Sequence, residues 1–516
     1  MIFFKAYYPV NRIIKIFTSL IKLVSNKRKI QLYYLFFLMT ISGFAEMISI
    51  AVVVPFLNAL TNPNSLNTFI TFPKKIILTD NSQSLFIITL FFIGLIITST
   101  FIKILTNFFT LKLSAIIGNE LSTKAYNKII YQPFKYHTNI NSNKLIVAST
   151  TQTNSTVTAI EFILQAIFAL LIVLFLTIQI LQISIVLSFS SILIILFLYL
   201  FFWKISSKEL SELSLIKNKT SKEIIRVLSE SMAAIQEIIL AGNQKVSTKN
   251  FGKLDYKFRI ARANSNFIQF SPKYIIEAIG IILISCYGYL SFKVSGDSSI
   301  FIPKIGAFAL AAQKLIQAFQ VIYACWSGIK SNYNDISDVI ELVNLKVPSS
   351  IDKSLSEEFG LKQKITIKNL SYRYNKNSPW ILQEVNFIIK KGDFVGISGK
   401  TGQGKSTLMN ILMSLLEPTT GQILVDDDKL FNKNNKQNLN KWRSLIALVP
   451  QDIFLLDDTI KNNIIFSENK ADIDFKRLKK ACKIAAIDEF INLLPLKLNT
   501  PVGEKGIKLS GGQKQR

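Results

Sequence analysis

Eight consecutive residues could grip a chain of phosphates: Gly399, Lys400, Thr401, Gly402, Gln403, Gly404, Lys405 and Ser406. They match the pattern G-x-x-x-x-G-K-[ST] at every fixed position. Glycine is needed there because side chains would keep a phosphate away from the backbone N–H groups. A helix opening at Lys405 would aim the positive end of its dipole at the same point. Lys405 then brings a point charge to the outer phosphates, the Ser406 hydroxyl suits Mg²⁺, and Thr407 adds a neighbouring hydroxyl. A second group, Ser510, Gly511, Gly512 and Gln513, repeats that physics with small residues at the head of an expected helix.

The elements that must position the first loop read as an α/β domain. Ile365–Tyr374 and Ile381–Ile389 alternate apolar and polar residues as strands do. The short apolar run Phe394–Ser398 feeds the glycine loop as a strand, and Lys405–Leu416 continues from it as a helix. Gln422–Asp426 and Leu445–Val449 are expected as further strands. The segment 471–493 is helical, with Leu478, Ala481, Ile484, Ala485 and Ile487 at helical spacing.

The rest of the chain has a different composition. Apolar residues make up 49% of the 516, with 39 Phe, and charged residues only 18%. A mean hydropathy of +0.34 points to a membrane-embedded part joined to a soluble one. Ile30–Leu60 holds one charge, Glu46, whereas Asn81–Ile102 and Phe162–Trp203 hold none. The last of these is long enough for two spans with a turn near Gln182-Ile183-Ser184, and Tyr274–Phe292 and Ile300–Ser327 complete a set of six. The expected spans are about 31–58, 82–105, 160–181, 184–204, 274–292 and 300–326. They form a transmembrane domain over 31–328, followed by a polar linker over 329–362 and a nucleotide-binding domain over 363–516.

Net charge is +27. No RNA- or DNA-reading motif accompanies it, so no nucleic-acid partner is expected. Lys and Arg concentrate in the long polar stretches 103–160 and 204–273, which places those and both termini in the cytoplasm. Residues 1–30 carry seven Lys or Arg and no acid, interleaved with apolar residues. That segment reads as a basic amphipathic helix on an anionic membrane surface, in contact with lipid, rather than as a secretory signal. Cys286, Cys325 and Cys482 are scattered and form no C-x-x-C, and the lone His137 cannot make a metal site. Glu46, Glu277 and Lys314 lie within expected spans, where ionisable residues are costly. Either they serve the transported substrate, or they face the aqueous cavity or pair with one another without touching it.

Gly399–Ser406 followed by Leu509-Ser510-Gly511-Gly512-Gln513, behind six spans, resembles the exporter-type half-transporters of the ATP-binding cassette (ABC) family. The resemblance implies a multi-domain fold: a six-helix transmembrane exporter domain, then a P-loop α/β nucleotide-binding domain. It implies ATP and Mg²⁺ as ligands of the loop. It also assigns Tyr374 in Ser371-Tyr372-Arg373-Tyr374 to stacking on adenine, with Tyr372 as competitor. Gln451 in Val449-Pro450-Gln451-Asp452 matches the family's glutamine loop, which contacts Mg²⁺ and the attacking water. Ser510, Gly511, Gly512 and Gln513 would clamp ATP bound to a second chain, so a homodimer or a related half-transporter is the implied partner. Val502-Gly503-Glu504-Lys505-Gly506 resembles the exporters' cross-talk loop.

The family's catalytic strand, ending in Asp-Glu, and its switch histidine follow the signature, so the chain is expected to be C-terminally incomplete. Two earlier acidic runs, Asp426-Asp427-Asp428 and Asp488-Glu489, stand in the wrong order to replace them. Ser42-Gly43-Phe44-Ala45-Glu46 leading to Val54-Pro55-Phe56 resembles bacterial exporters of lipid-linked glycans. The expected function is therefore ATP-driven export or flipping of a lipid-linked glycan or other amphipathic substrate across the cytoplasmic membrane, by a homodimer of half-transporters. A non-hydrolytic ATP-binding subunit and a peptide or drug exporter remain as alternatives.

Overall fold

The structure is a computed structural model that describes residues 18–61, 81–183, 185–295, 298–347, 360–432, 437–466 and 473–516. It divides into two compact units, Met1–Pro348 and Ser349–Arg516.

Six helices dominate the first unit: α1 (Asn26–Ala51), α2 (Asn81–Ile130), α3 (Thr153–Ile183), α4 (Ile185–Ala233), α5 (Gln244–Ser295) and α6 (Ser298–Ser331). Among the described residues, six helical stretches are long and apolar enough to cross a membrane, as the sequence predicts. α3 ends and α4 begins at the expected turn, with Ser184 itself outside the described residues. α2, α4 and α5 run for 50, 49 and 52 residues. At about 1.5 Å per residue each reaches ~75 Å, more than twice the hydrocarbon thickness. The long polar stretches are therefore mostly continuations of the spans, joined by the short helices Phe134–Asn139 and Ile235–Leu240. Phe86, Phe91, Phe101 and Phe197 are exposed on the bundle, as side chains facing lipid can be.

Small residues let the helices approach closely. A Cβ on Gly43 would lie 2.9 Å from Phe175 Cδ2, and one on Gly328 would meet the Phe162 ring. Inside α5, Pro272 has no N–H for the Ile268 carbonyl one turn back. Tyr323 on α6 brings its hydroxyl to 3.3 Å from that carbonyl, and Gln320 Nε2 donates to the next one, Gln269, at 3.1 Å. Side chains of one span thus serve the backbone that proline leaves open in another.

Of the linker expected over 329–362, residues 348–359 lie outside the described residues, and most of 329–347 is helical. α7 (Tyr333–Val343) buries Ile336, Val339, Leu342 and Val343 against the bundle. Its polar face is fixed by Lys222 and Gln152, which donate to Asp338 at 2.6 and 2.7 Å, and by Asn218, which donates to Asp335 at 2.8 Å. Polar composition suggested a loop there, but the apolar residues recur at helical spacing and found a surface to cover. Of the basic N-terminal segment, residues 1–17 lie outside the described residues. Leu20 and Val24 are buried with Leu35, Leu113 and Ile117, and Arg28 pairs with Glu120 at 2.7 Å.

The second unit holds a four-stranded antiparallel sheet in the order β2-β1-β3-β4, made of β1 (Lys364–Tyr372), β2 (Leu382–Lys390), β3 (Thr420–Val425) and β4 (Asp428–Lys429). Its core joins Ile367, Leu370, Tyr372, Ile423 and Val425 to Ile411 of α8 (Lys405–Leu412). Two expected strands do not form. Phe394–Ser398 and Leu445–Val449 have no regular structure, and Phe394, Leu448 and Val449 are exposed. A strand needs a ladder partner, and neither run has one among the described residues. α8 stops four residues short of the expected Leu416. Trp442 Nε1 donates to the Leu412 carbonyl at 2.7 Å and Arg443 to that of Ser414 at 2.6 Å, closing the helix end from outside. The helix expected over 471–493 is two, Phe475–Ile484 and Asp488–Leu493, broken where Ala486 takes a φ of 52°.

Candidate functional site

The glycine loop owes its shape to its own backbone. Gly402 and Gly404 sit at φ values of 86° and 84°, a region that side chains rarely tolerate. Gly404 caps α8, and a Cβ there would lie 2.8 Å from Ile381 Cγ2. Gln403 Oε1 accepts the Lys400 N–H at 2.8 Å, tying the loop across its width. Lys405 folds back over it, donating to the carbonyls of Gly399 at 2.7 Å and Lys400 at 3.0 Å. An ammonium resting on two neutral carbonyls can exchange them for an anion at little cost, since charge-assisted bonds are the stronger ones. Gly399, Lys400, Thr401, Gly402, Gln403 and Ser406 are exposed, so the concave side of the loop is open. Thr407 is buried behind it. Free N–H groups, a helix start and an accessible cation fit a polyphosphate, and the exposed Ser406 hydroxyl fits its Mg²⁺.

The two tyrosines that compete for an aromatic role take different places. Tyr372 is fully buried in the sheet core, where burial pushes its phenol above the usual 10.0. Tyr374 is half-buried, meets Tyr372 edge-on at 5.2 Å and brings its hydroxyl to 3.4 Å from Thr407 Oγ1. Only Tyr374 is both next to the loop and able to offer ring surface to a ligand. Its segment is steadied by a pair the sequence did not single out, Arg373 stacked 4.6 Å from the centroid of Trp380.

The other candidates lie further off. Gln451 is exposed in an irregular segment and makes no hydrogen bond to the glycine loop among the described residues. Ser510 caps the short helix Gly511–Gln515 through a capping box, with Ser510 N donating to Gln513 Oε1 at 2.8 Å and Gln513 N to Ser510 Oγ at 3.3 Å. Gly511 and Gly512 are open, with nothing within 4 Å of an added Cβ. No hydrogen bond among the described residues joins 510–513 to the loop in the same chain. The acidic runs are otherwise occupied. Asp426 accepts the backbone N–H groups of Lys362, Gln363 and Lys364 at 2.7–2.9 Å, which holds its carboxyl below the usual 3.8. Asp488 and Glu489 form the first turn of a six-residue helix.

In the bundle, two of the three expected ionisable residues meet. Lys314 Nζ on α6 donates to Glu46 Oε1 on α1 at 2.6 Å. Glu277 stands apart, 3.8 Å from Lys273 on its own helix. Lys103 on α2 joins Glu46 at 3.5 Å, and sequence reasoning passed it over. The signal was available: Lys103 is the sole charge between Asn81 and Leu111.

Comparison with known proteins falls on both units. Residues 382–516 match the family model described as ABC transporter, and 32–319 match that of the ABC transporter transmembrane region. An ATP-dependent lipid A-core flippase of Coxiella burnetii is 28% identical over 319 residues, 61% of this chain and 52% of that protein. A protein of the same name from Pseudomonas putida is 25% identical over 93% of this chain and 78% of its own length. The chain spans about half the length of several curated relatives it matches. The structure of a bacterial Atm1-family ABC exporter with ATP bound shares the fold, with a TM-score of 0.74, 18% identity, and coverage of 95% of this chain and 82% of that one.

Proposed function

This chain belongs to the ABC transporters, as a multi-pass membrane protein with a cytoplasmic ATP-binding cassette, and we propose that it is one half of an exporter that moves a lipid-linked, amphipathic substrate across the membrane at the expense of ATP. The observation that carries this reading is one chain that joins six apolar helices to an open glycine loop with Lys405 poised over it. In this reading the loop's backbone and Lys405 hold the β- and γ-phosphates, Ser406 and Gln451 hold Mg²⁺, and Tyr374 stacks on adenine. Mg²⁺ would neutralise charge on the phosphates as the terminal one is transferred to water. Ser510, Gly511, Gly512 and Gln513 serve the nucleotide of a second copy, a reading consistent with the lack of any hydrogen bond between them and the loop of their own chain among the described residues. Two copies would then share two nucleotides, and closure over them would be carried along the helices that extend beyond the hydrocarbon layer. The lipid-linked class of substrate is supported by the names of the flippase relatives.

Reconstitution into vesicles with a fluorescently labelled lipid-linked oligosaccharide tests the reading. Lys405→Ala should abolish ATP-dependent movement of the label to the protected leaflet. Movement unchanged by that substitution would remove the loop from the mechanism. Transport of a soluble peptide or drug in place of the labelled lipid would keep the mechanism and overturn the substrate class.

A further inference from the structure

Glu46, Lys103 and Lys314 come from three helices, α1, α2 and α6, each within a stretch apolar enough to cross a membrane. Glu46 lies eleven residues before Leu57, where its stretch ends, which is about 17 Å of helix. The cluster therefore draws its acid from midway along an apolar stretch rather than from its end. Its charge does not balance. One carboxylate faces two ammonium groups, at 2.6 and 3.5 Å, and no other acid pairs with either lysine among the described residues. Exposure is distributed unevenly too: the side chain of Glu46 is 7% exposed, those of Lys103 and Lys314 43% and 44%. A pair kept only for packing would need one lysine and would bury both partners. Here the anion is at the back and the surplus cation is displayed.

Surplus charge within such a stretch settles against water or against an opposite charge. On the same face of α1, one turn before Glu46, Ser42 is buried with its hydroxyl unpartnered, so the polar supply of this region exceeds its demand. Two lysines that can share one carboxylate can share a phosphate, whose several oxygens accept from both while its charge cancels theirs. A free ion has no reason to enter the hydrocarbon layer, whereas a phosphate on an apolar anchor does.

We infer that Lys103 and Lys314 receive the phosphate of an anionic lipid headgroup, with Glu46 as the internal counterion that keeps them charged and aligned when no lipid is bound. The source of the phosphate rests on the proposed export of lipid-linked substrates; the charge imbalance does not.

Titration calorimetry of the full chain in neutral detergent, without nucleotide, tests this with dihexanoyl phosphatidic acid, dihexanoylglycerol and inorganic phosphate as probes. Phosphatidic acid should bind and the neutral glyceride should not. The double variant Lys103→Gln, Lys314→Gln should lose about tenfold or more in affinity, and Glu46→Gln should gain several-fold because the competing carboxylate is gone. Lys314→Arg keeps the charge and should retain binding, which separates recognition from misfolding. Glu46→Gln that weakens binding along with the lysine variants would make the cluster structural and overturn the inference. Equal binding of the neutral glyceride, or of inorganic phosphate, would overturn it as well. Binding that persists in Lys405→Ala supports the headgroup site whatever becomes of ATP-driven transport.

Discussion

The glycine loop and the membrane cluster both present lysine to an anion, and they are built in opposite ways. Lys405 is held by carbonyls five and six residues away, inside one turn of backbone that glycines alone can adopt. Glu46 is held by residues 57 and 268 positions distant, so its geometry depends on how three helices pack. A site made of contiguous backbone carries its instructions in its own sequence. A site made of packing borrows them from every contact that sets the helix spacing. The two should therefore fail differently: the first to a single methyl group in the loop, the second to changes remote from its charges.

The largest effect is expected where the backbone has least room. Gly404→Ala would place a Cβ 2.8 Å from Ile381 Cγ2 and 3.1 Å from the Ile381 carbonyl, at a φ of 84°. Strain of this kind costs roughly 1–3 kcal/mol at one residue. The loop can relieve it only by moving Lys405, the next residue. ATP affinity, measured by displacement of a fluorescent nucleotide, should fall by more than about tenfold while helix content stays constant. Unchanged affinity would show that the loop is less dependent on its glycines than the dihedral angles imply, and would dissolve the contrast.

The same contrast explains what could be read from the sequence. The glycine loop, the six spans, the turn between α3 and α4 and three of the strands all arise from runs of neighbouring residues, and all were legible. Phe394–Ser398 and Leu445–Val449 were not, because a strand is completed by its partners and alternation says nothing about whether one is present. Alternation puts Tyr372 and Tyr374 on one face of the expected strand, yet β1 ends at Tyr372, and only three-dimensional packing decides that this residue is sealed in the core. Glu46 and Lys314 were each conspicuous as charges among apolar residues. Their meeting, and the arrival of Lys103, came from helix packing. α7 was missed for the opposite reason: its polar face, spent on Lys222, Gln152 and Asn218, looked like a solvated connection.

An intermediate effect is expected where packing supplies a backbone bond. Tyr323→Phe removes the hydroxyl that reaches the Ile268 carbonyl left open by Pro272, and also its 3.0 Å contact with Ser206 Oγ. Tyr323 is buried, so little water can reach the carbonyl in its place. The loss should be about 1–2 kcal/mol of resistance to unfolding in a detergent titration. Pro272→Ala restores the missing N–H, so in the double variant the penalty of Tyr323→Phe should shrink. Equal penalties in both backgrounds would show that Tyr323 stabilises through its ring alone, in the aromatic contacts it makes with Tyr199 and Trp326.

The smallest effect sharpens the comparison by moving it out of the membrane. Asp426 is in the soluble unit but its partners are 62–64 residues away, so by this logic it belongs with the packed sites. Its carboxylate accepts three amide N–H groups, first among them those of Lys364 and Lys362, and these bonds hold its pKa below the ordinary 3.8. A carboxyl whose folded pKa is depressed adds stability that is complete above the unfolded value and is lost as pH falls through the folded one. Asp426→Asn keeps the shape and one acceptor but removes the charge. Hydrogen exchange at the amides of residues 362–364 should therefore speed up in the variant at neutral pH. Below the ordinary carboxylate range the two proteins should converge, since protonated aspartic acid has lost the same charge. Both the carboxylate and the amides are near solvent, so screening keeps the change modest. A difference that persisted undiminished into acid would mean that the contact depends on shape rather than charge, and the start of β1 would then be held as the glycine loop is, by its own backbone.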